Sequence, residues 1–150
     1  MQPEYDIVVE APDGARVLVV ECKRAKESSN EGAVRWRRSF QANGPSLPSE
    51  FFLLAFPTRF FLWKADRLPD AFPDFSAPSK PVLKRYIRRV ADQPGGPSSE
   101  SLEIAVSTWL NDLASGTRPP DPSSEPEQLV VQSGLLKRIK GGTVRTQVSA

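Results

Sequence analysis

Residues 5–23 read YDIVVEAPDGARVLVVECK, which is two β-branched apolar runs on either side of Pro12-Asp13-Gly14. An Asp-Gly pair between such runs is a strong signal for a β-hairpin. We therefore predict antiparallel strands over 5–10 and 16–23, joined by a two-residue loop at Asp13-Gly14. Residues 18–20 are all apolar, which is typical of a central strand that is covered on both faces.

This loop predicts the register of the hairpin, and the register brings charged residues together. Asp6 would lie opposite Glu21, and Lys23 would share their face because side chains alternate along a strand. Cys22 would point to the opposite, apolar face as a small buried hydrophobe. A slip of one residue would separate the charged group. The same register pairs Val8 with Val19 and Glu10 with Val17.

Two carboxylates directly opposite each other are destabilising and need a cation. Lys23 supplies one cation, and a divalent metal would supply a stronger one. Oxygen ligands such as Asp6 and Glu21 suit Mg²⁺ or Mn²⁺. The alternative is a surface salt-bridge cluster at a strand end. Glu10 shares the face but lies far along the strand, where we expect solvation.

The following residues predict an α/β fold. Residues 28–43 have helical spacing, with Ser28 and Glu31 in the positions of a capping box. Strands are predicted over 51–56 and 59–64, so the order is strand, strand, helix, strand, strand.

We divide the chain into an α/β core, residues 1–66, and a mainly helical extension, residues 67–150, that packs on the core. In the extension, composition and periodicity predict a proline-rich connector (66–81), a short basic helix (82–90), a loop (93–99), an amphipathic helix (100–114), a flexible linker (115–125), a helix (128–140) and a short strand (143–148).

Composition excludes several kinds of chemistry. The 150 residues contain no histidine and one cysteine, which removes histidine-based triads, Cys-His dyads and zinc sites. No glycine-rich phosphate loop is present. A lone cysteine predicts a reducing, cytoplasmic location. We predict no membrane association, because no apolar run is long enough to span a bilayer. The net charge of +2 argues neither for nor against nucleic acid.

Asp6 followed by Glu21-Cys22-Lys23, on a hairpin that precedes a helix and two strands, resembles the PD-(D/E)XK nuclease superfamily. The resemblance covers about residues 4–64 and implies a restriction-endonuclease-like mixed sheet. By this resemblance Asp6, Glu21 and the backbone carbonyl of Cys22 would bind Mg²⁺ or Mn²⁺, and Lys23 would position or activate the attacking water. The implied activity is metal-dependent hydrolysis of nucleic-acid phosphodiesters, with DNA favoured over RNA.

A substrate of this kind needs basic residues near the site. We predict phosphate contacts from the residues that follow Lys23 and from the first helix, with a solvated helix face as the alternative. The basic run 80–89 is interpreted in the same two ways, and the three tryptophans are predicted to be core residues. The candidate nucleic-acid-binding residues are Arg24, Lys26, Arg35, Arg38 and Gln41, with Arg37 also expected near the site.

The sequence departs from the resemblance at its start. Members of the superfamily begin with a helix, often carrying an acidic residue, and a strand before the Asp. Only five residues precede Asp6. We therefore expect that the reading frame begins further upstream, that the protein is truncated, or that a partner supplies these elements. The second functional hypothesis is a catalytically inactive remnant that binds protein or nucleic acid. The helix 100–114 is a candidate packing or homodimer element.

Overall fold

A computed structural model describes residues 5–43, 49–87 and 97–146 of the protein. Within these ranges one open, mixed sheet has the strand order β5-β4-β3-β2-β1-β6. The strands are β1 (Ile7–Glu10), β2 (Arg16–Cys22), β3 (Phe51–Ala55), β4 (Arg59–Lys64), β5 (Phe75–Pro78) and β6 (Thr143–Thr146). The helices are α1 (Asn30–Asn43), α2 (Lys80–Tyr86), α3 (Ser99–Ser115), α4 (Glu125–Gln132) and α5 (Leu135–Ile139). The predicted α/β class and the order strand, strand, helix, strand, strand are confirmed.

The hairpin has the predicted register along most of β1, although its turn differs from the prediction. Pro12 and Asp13 are the central turn residues, because the Gly14 N–H donates to the Ala11 carbonyl at 2.8 Å. Gly14 follows with φ 89°, the left-handed conformation that glycine adopts without strain. A two-residue loop at Asp13-Gly14 is therefore wrong.

A bulge compensates for the longer loop. Glu10 pairs with Arg16 instead of the predicted Val17, and the next pair is Val9 with Leu18. Val17 is thus the extra residue on β2. Beyond the bulge, the Val8–Val19 pair forms as predicted and the regular ladder reaches Ile7–Val20.

Two hydrophobic clusters cover the two faces of the sheet. The larger cluster includes Ile7 and Val20 from the hairpin and Trp109 from α3. The smaller cluster lies on the other face, where Ala33 of α1 packs against Trp63 of β4. Helix α1 begins one residue later than the predicted cap implies, since the Gly32 N–H donates to Ser29 Oγ at 3.0 Å. Ser29, and not Ser28, is therefore the capping residue.

Residues on both sides of position 66 build the sheet. β5 pairs antiparallel with β4 and β6 pairs antiparallel with β1, so the sheet takes an edge strand from each end of the segment 67–146. The proline-rich connector was not expected to contain β5. Prolines are tolerated there because β5 is an edge strand, where a missing N–H costs no ladder hydrogen bond.

The remaining helices differ from the prediction mainly at their ends. α3 matches the predicted amphipathic helix within one residue at each end. The helix predicted over 128–140 is instead two helices, because Gly134 adopts φ 86° between α4 and α5. α2 is shorter than predicted as far as the described residues show, and residues 88–96 of the predicted helix and loop lie outside them.

The segment predicted as a flexible linker is tied to α4. The guanidinium of Arg118 donates to both carboxylate oxygens of Glu127, and the Asp121 N–H donates to Glu127 Oε1 at 2.6 Å. Glu127 is buried and also accepts from Trp109 Nε1 at 3.3 Å. Residues 115–125 are therefore an ordered connection with a partly buried ion pair.

Candidate functional site

The predicted acidic pair lies at the end of the hairpin where β1 begins and β2 ends. The ladder closes at Ile7–Val20, so the same register carried one residue further places Asp6 opposite Glu21. The Cys22 N–H donates to Asp6 Oδ2 at 2.7 Å, which fixes the Asp6 carboxyl beside the last residue of β2. The structure therefore places the two carboxyl groups side by side at this end of the hairpin.

Two neighbouring carboxyl groups do not both ionise readily, because like charges at short distance repel each other. Glu21 is 7% exposed. Burial, followed by the charge of Asp6, raises the pKa of Glu21 to about 8, while the nearby Lys23 ammonium opposes this increase. At neutral pH the Glu21 side chain therefore holds a proton for most of the time. A carboxyl kept protonated at this pH is the kind of perturbed group that concentrates in functional sites.

Lys23 lies on the same face, where the first helix covers the sheet. Its amine stands over the ring of Phe40 of α1, with 5.2 Å from Nζ to the ring centroid. The backbone N–H of Lys23 donates to the Ala55 carbonyl at 3.0 Å and so continues the pairing between β2 and β3. The aromatic contact holds the ammonium near Glu21, whose pKa the ammonium lowers. Asp6, Glu21 and Lys23 thus form one group, as the register predicts.

Cys22 lies between Glu21 and Lys23 in the sequence. Its thiol points to the larger cluster and is 4% exposed, as expected for the alternating face. Burial, followed by the charge of Asp6, raises the pKa of the thiol well above its usual value. A buried thiol of this kind is not a nucleophile, so the side chain is structural.

The donor set fits an oxygen-binding divalent ion that retains most of its water. In the described parts of the chain no group of three or more His, Cys, Asp or Glu side chains could hold a metal ion. Asp6 and Glu21 therefore offer two carboxylates, to which the Cys22 carbonyl would be the third protein ligand. Mg²⁺ is commonly bound by one or two carboxylates, with water or substrate phosphate in the other positions.

A third acidic residue near this site was not predicted. Glu103 of α3 is 8% exposed, and its charge raises the pKa of both Glu21 and Cys22. The sequence contained a signal for it. Glu103 stands three and seven residues before Val106 and Leu110, so it is a charge within the apolar stripe of the helix. Helix α3 packs on the face of the larger cluster, so Glu103 influences Glu21 through its charge and does not share the face of Lys23.

The five predicted nucleic-acid-binding residues are all exposed. Arg24 and Lys26 follow directly after Lys23, and Arg35, Arg38 and Gln41 lie on α1, the helix that contacts Lys23 through Phe40. Their placement is compatible with a basic approach surface, and phosphate contact stays a prediction.

Arg37 does not belong to this surface. It is buried, and its guanidinium donates to the backbone carbonyls of Leu68 at 2.8 Å and Arg67 at 3.2 Å. The guanidinium also stands 5.1 Å from the ring centroid of Trp63. The expectation that Arg37 lies near the site for substrate contact is therefore wrong, because its donors hold the 67–68 backbone.

The second basic run lies on the other side of the sheet. α2 buries Val82 and Leu83 in the larger cluster, whereas Lys23 and α1 are on the face of the smaller cluster. The exposed lysines of α2 therefore do not share the face of Lys23. Arg88 and Arg89 of this run lie outside the described residues. Glu10 is also distant from the site, since it pairs with Arg145 at 3.0 Å on β6.

No family model, curated protein or solved structure matches the chain. In the described ranges, no helix is both long and apolar enough to cross a bilayer.

Proposed function

We propose that the protein is a Mg²⁺- or Mn²⁺-dependent, nuclease-like phosphodiesterase of restriction-endonuclease-like fold, with Asp6, Glu21 and Lys23 as its active-site residues. The observation that carries this proposal is the pairing of the buried Glu21 carboxyl with the half-buried Asp6 carboxyl beside a lysine ammonium. Two carboxylates rarely share a buried position for stability, since each must lose its hydration and they repel each other. A site that binds a cation during function accounts for this arrangement.

The sheet supports the same proposal. The resemblance implies a helix and a strand beside the strand that carries the Asp. In the structure β6 pairs with the outer edge of β1, and α3 packs against β2 and β6. These two elements lie beside the Asp6 strand and come from the other end of the described chain. A partner protein is therefore not needed to cover that edge.

The protein's own residues have distinct roles in the proposed reaction. The Cys22 N–H holds Asp6 in place, and Asp6 and Glu21 together would hold the ion once Glu21 has released its proton. The bound ion would polarise the phosphoryl group and lower the pKa of a water molecule. Lys23, positioned by Phe40, would stabilise the negative charge that develops at phosphorus or orient the attacking water.

A cleavage assay on single-stranded and duplex oligonucleotides with Mn²⁺ tests the proposal. We expect cleavage by the wild type and a decrease of at least about 100-fold in the Lys23→Met variant. The control is Lys137→Met. Lys137 is an exposed lysine of α5 next to Arg138, which pairs with Glu50 just before β3, at the opposite end of that strand from Ala55. Metal binding without cleavage of any nucleic acid would contradict the catalytic proposal and favour a non-catalytic binding protein.

A further inference from the structure

One face of α1 continues from the proposed active site to a surface depression. The Lys23 amine stands over Phe40, and Phe40 stacks on Trp36 with 6.2 Å between ring centroids. Trp36 in turn lines a shallow depression of about 240 Å³ together with Glu27, Gly32, Arg35 and Ser39. The Phe40 ring therefore lies between the Lys23 amine and Trp36, and Trp36 borders the depression.

Trp36 differs from the other two tryptophans of the protein. Trp63 and Trp109 are fully buried, whereas Trp36 is half-buried at the edge of the smaller cluster. The prediction that all three tryptophans are core residues therefore holds fully for two of them. One side of the Trp36 indole packs edge-on against Phe56 at 5.8 Å, which fixes the ring while it still borders the depression. A fixed, partly open indole is suited to stacking with another flat group.

The charges around the depression favour a nucleobase over a phosphate inside it. The Glu27 carboxylate lies across Gly32, because a Cβ on Gly32 would overlap its oxygens. That negative charge disfavours phosphate in the depression, and its oxygens can accept the exocyclic N–H groups of a base. Arg35 borders the same depression and is exposed, so it can contact the backbone phosphate next to a stacked base.

We propose that Trp36 is a stacking platform for an unpaired nucleobase, and that the substrate of the neighbouring site is therefore single-stranded nucleic acid. The bases of a duplex are stacked on each other and cannot offer a face to an indole, whereas single strands bind through aromatic stacking combined with basic residues. This inference rests on the proposed function, since it names the substrate class of the same site.

Tryptophan fluorescence tests the inference directly, because Trp36 alone among the three tryptophans borders the surface. The probe is a single-stranded deoxyoligonucleotide of about a dozen adenine and cytosine nucleotides, without divalent metal so that no cleavage occurs, and the comparison is the duplex with its complement. We expect the single strand to quench the wild-type fluorescence and the duplex to leave it almost unchanged. Trp36→Phe should lose the quenching while it still binds the single strand.

Affinity provides the second measurement. Trp36→Leu should weaken binding of the single strand by about 5- to 150-fold, the loss expected for one stacked base. The control is Phe72→Ala. Phe72 is 54% exposed and lies outside the depression, so its removal should leave the affinity unchanged. If Trp36→Leu does not fold, the quenching of the wild type still decides the question.

The outcomes separate this inference from the proposed function. Equal binding of duplex and single strand without quenching would overturn the stacking role of Trp36 and leave the nuclease proposal intact. If neither probe binds, even at low salt, the stacking inference fails, and the cleavage assay with Mn²⁺ decides the nuclease proposal separately. Quenching by the single strand alone, lost in Trp36→Phe, supports the inference.

Discussion

Glu21→Gln should stabilise the metal-free protein at high pH while it removes the proposed function. The folded state holds the Glu21 proton up to a pKa of about 8, compared with about 4.5 in the unfolded chain. Between these values the folded state binds the additional proton, so the stability of the wild type decreases as pH rises through this window. The stability that the bound Glu21 proton gives the folded state is fully present below pH 4.5 and is lost above pH 8. Glutamine stays neutral and avoids the loss.

The size of the effect follows from the pKa. Each change of one in the pKa of Glu21 corresponds to about 1.4 kcal/mol in the free energy of unfolding. Solvent screening at the partly open strand end reduces the total effect of Glu21 to about 2–3 kcal/mol. Urea unfolding without divalent metal should give similar free energies for wild type and Glu21→Gln at pH 5. At pH 9 the variant should be more stable by this amount.

A second variant provides a control of opposite sign. Glu127 is also buried, and burial alone would raise its pKa, but the hydrogen bonds from Arg118 and the Asp121 N–H hold it below its usual value. The Glu127 carboxylate therefore stabilises the fold above the acid range, and Glu127→Gln should be less stable than the wild type at pH 9. A Glu21→Gln difference that is the same at pH 5 and pH 9 would refute the raised pKa of Glu21.

Three further predictions concern the site and its support. Binding of Mn²⁺ should strengthen with pH by up to about tenfold per pH unit until pH 8 and should release a proton, because Glu21 must ionise to bind metal. Calorimetry in buffers of different ionisation enthalpy measures the proton release. An affinity that is constant from pH 6 to pH 8 would contradict this prediction. Glu103→Gln should weaken the Mn²⁺ affinity severalfold. Its control, Glu127→Gln, should lower the free energy of unfolding by about 2–3 kcal/mol and leave the Mn²⁺ affinity unchanged. The reverse pattern would exclude Glu103 from the site. Arg37→Met should lower the free energy of unfolding in urea by about 2–4 kcal/mol, because two backbone carbonyls lose their charged donor. The control Arg38→Met, at an exposed position of the same helix, should lower it by less than about 0.5 kcal/mol. Equal values for the two variants would contradict the structural role of Arg37.

The hairpin could be predicted because its information is local. Alternating apolar residues around Asp13-Gly14 determine which face each side chain takes, and the end of the hairpin near Asp6 follows from that alternation. The turn itself was predicted incorrectly. Pro12 occupies a central turn position and Gly14 the left-handed one, and only the compensating bulge at Val17 restores the expected register.

Other features depend on distant parts of the chain and leave weaker signals. β5 is four residues long and ends in Pro78, so its pattern is that of a loop until β4 pairs with it. Helical periodicity places Arg37 on α1, but it does not show that the 67–68 backbone comes back to accept its hydrogen bonds. Glu103 was visible as a charge in an apolar stripe, although only the fold shows that it lies near Glu21.

The central claim is that Asp6 and Glu21 form a divalent-metal site at the end of the hairpin. The most direct measurement is calorimetric titration of Mn²⁺ at pH 8 into the wild type, Asp6→Asn and the control Glu10→Gln. Glu10 is on the same strand but pairs with Arg145 at the other end. We expect the wild type and Glu10→Gln to bind equally and Asp6→Asn to bind at least about tenfold more weakly. A wild type that binds no Mn²⁺ at millimolar concentration, or an Asp6→Asn variant that binds as the wild type does, would contradict the claim.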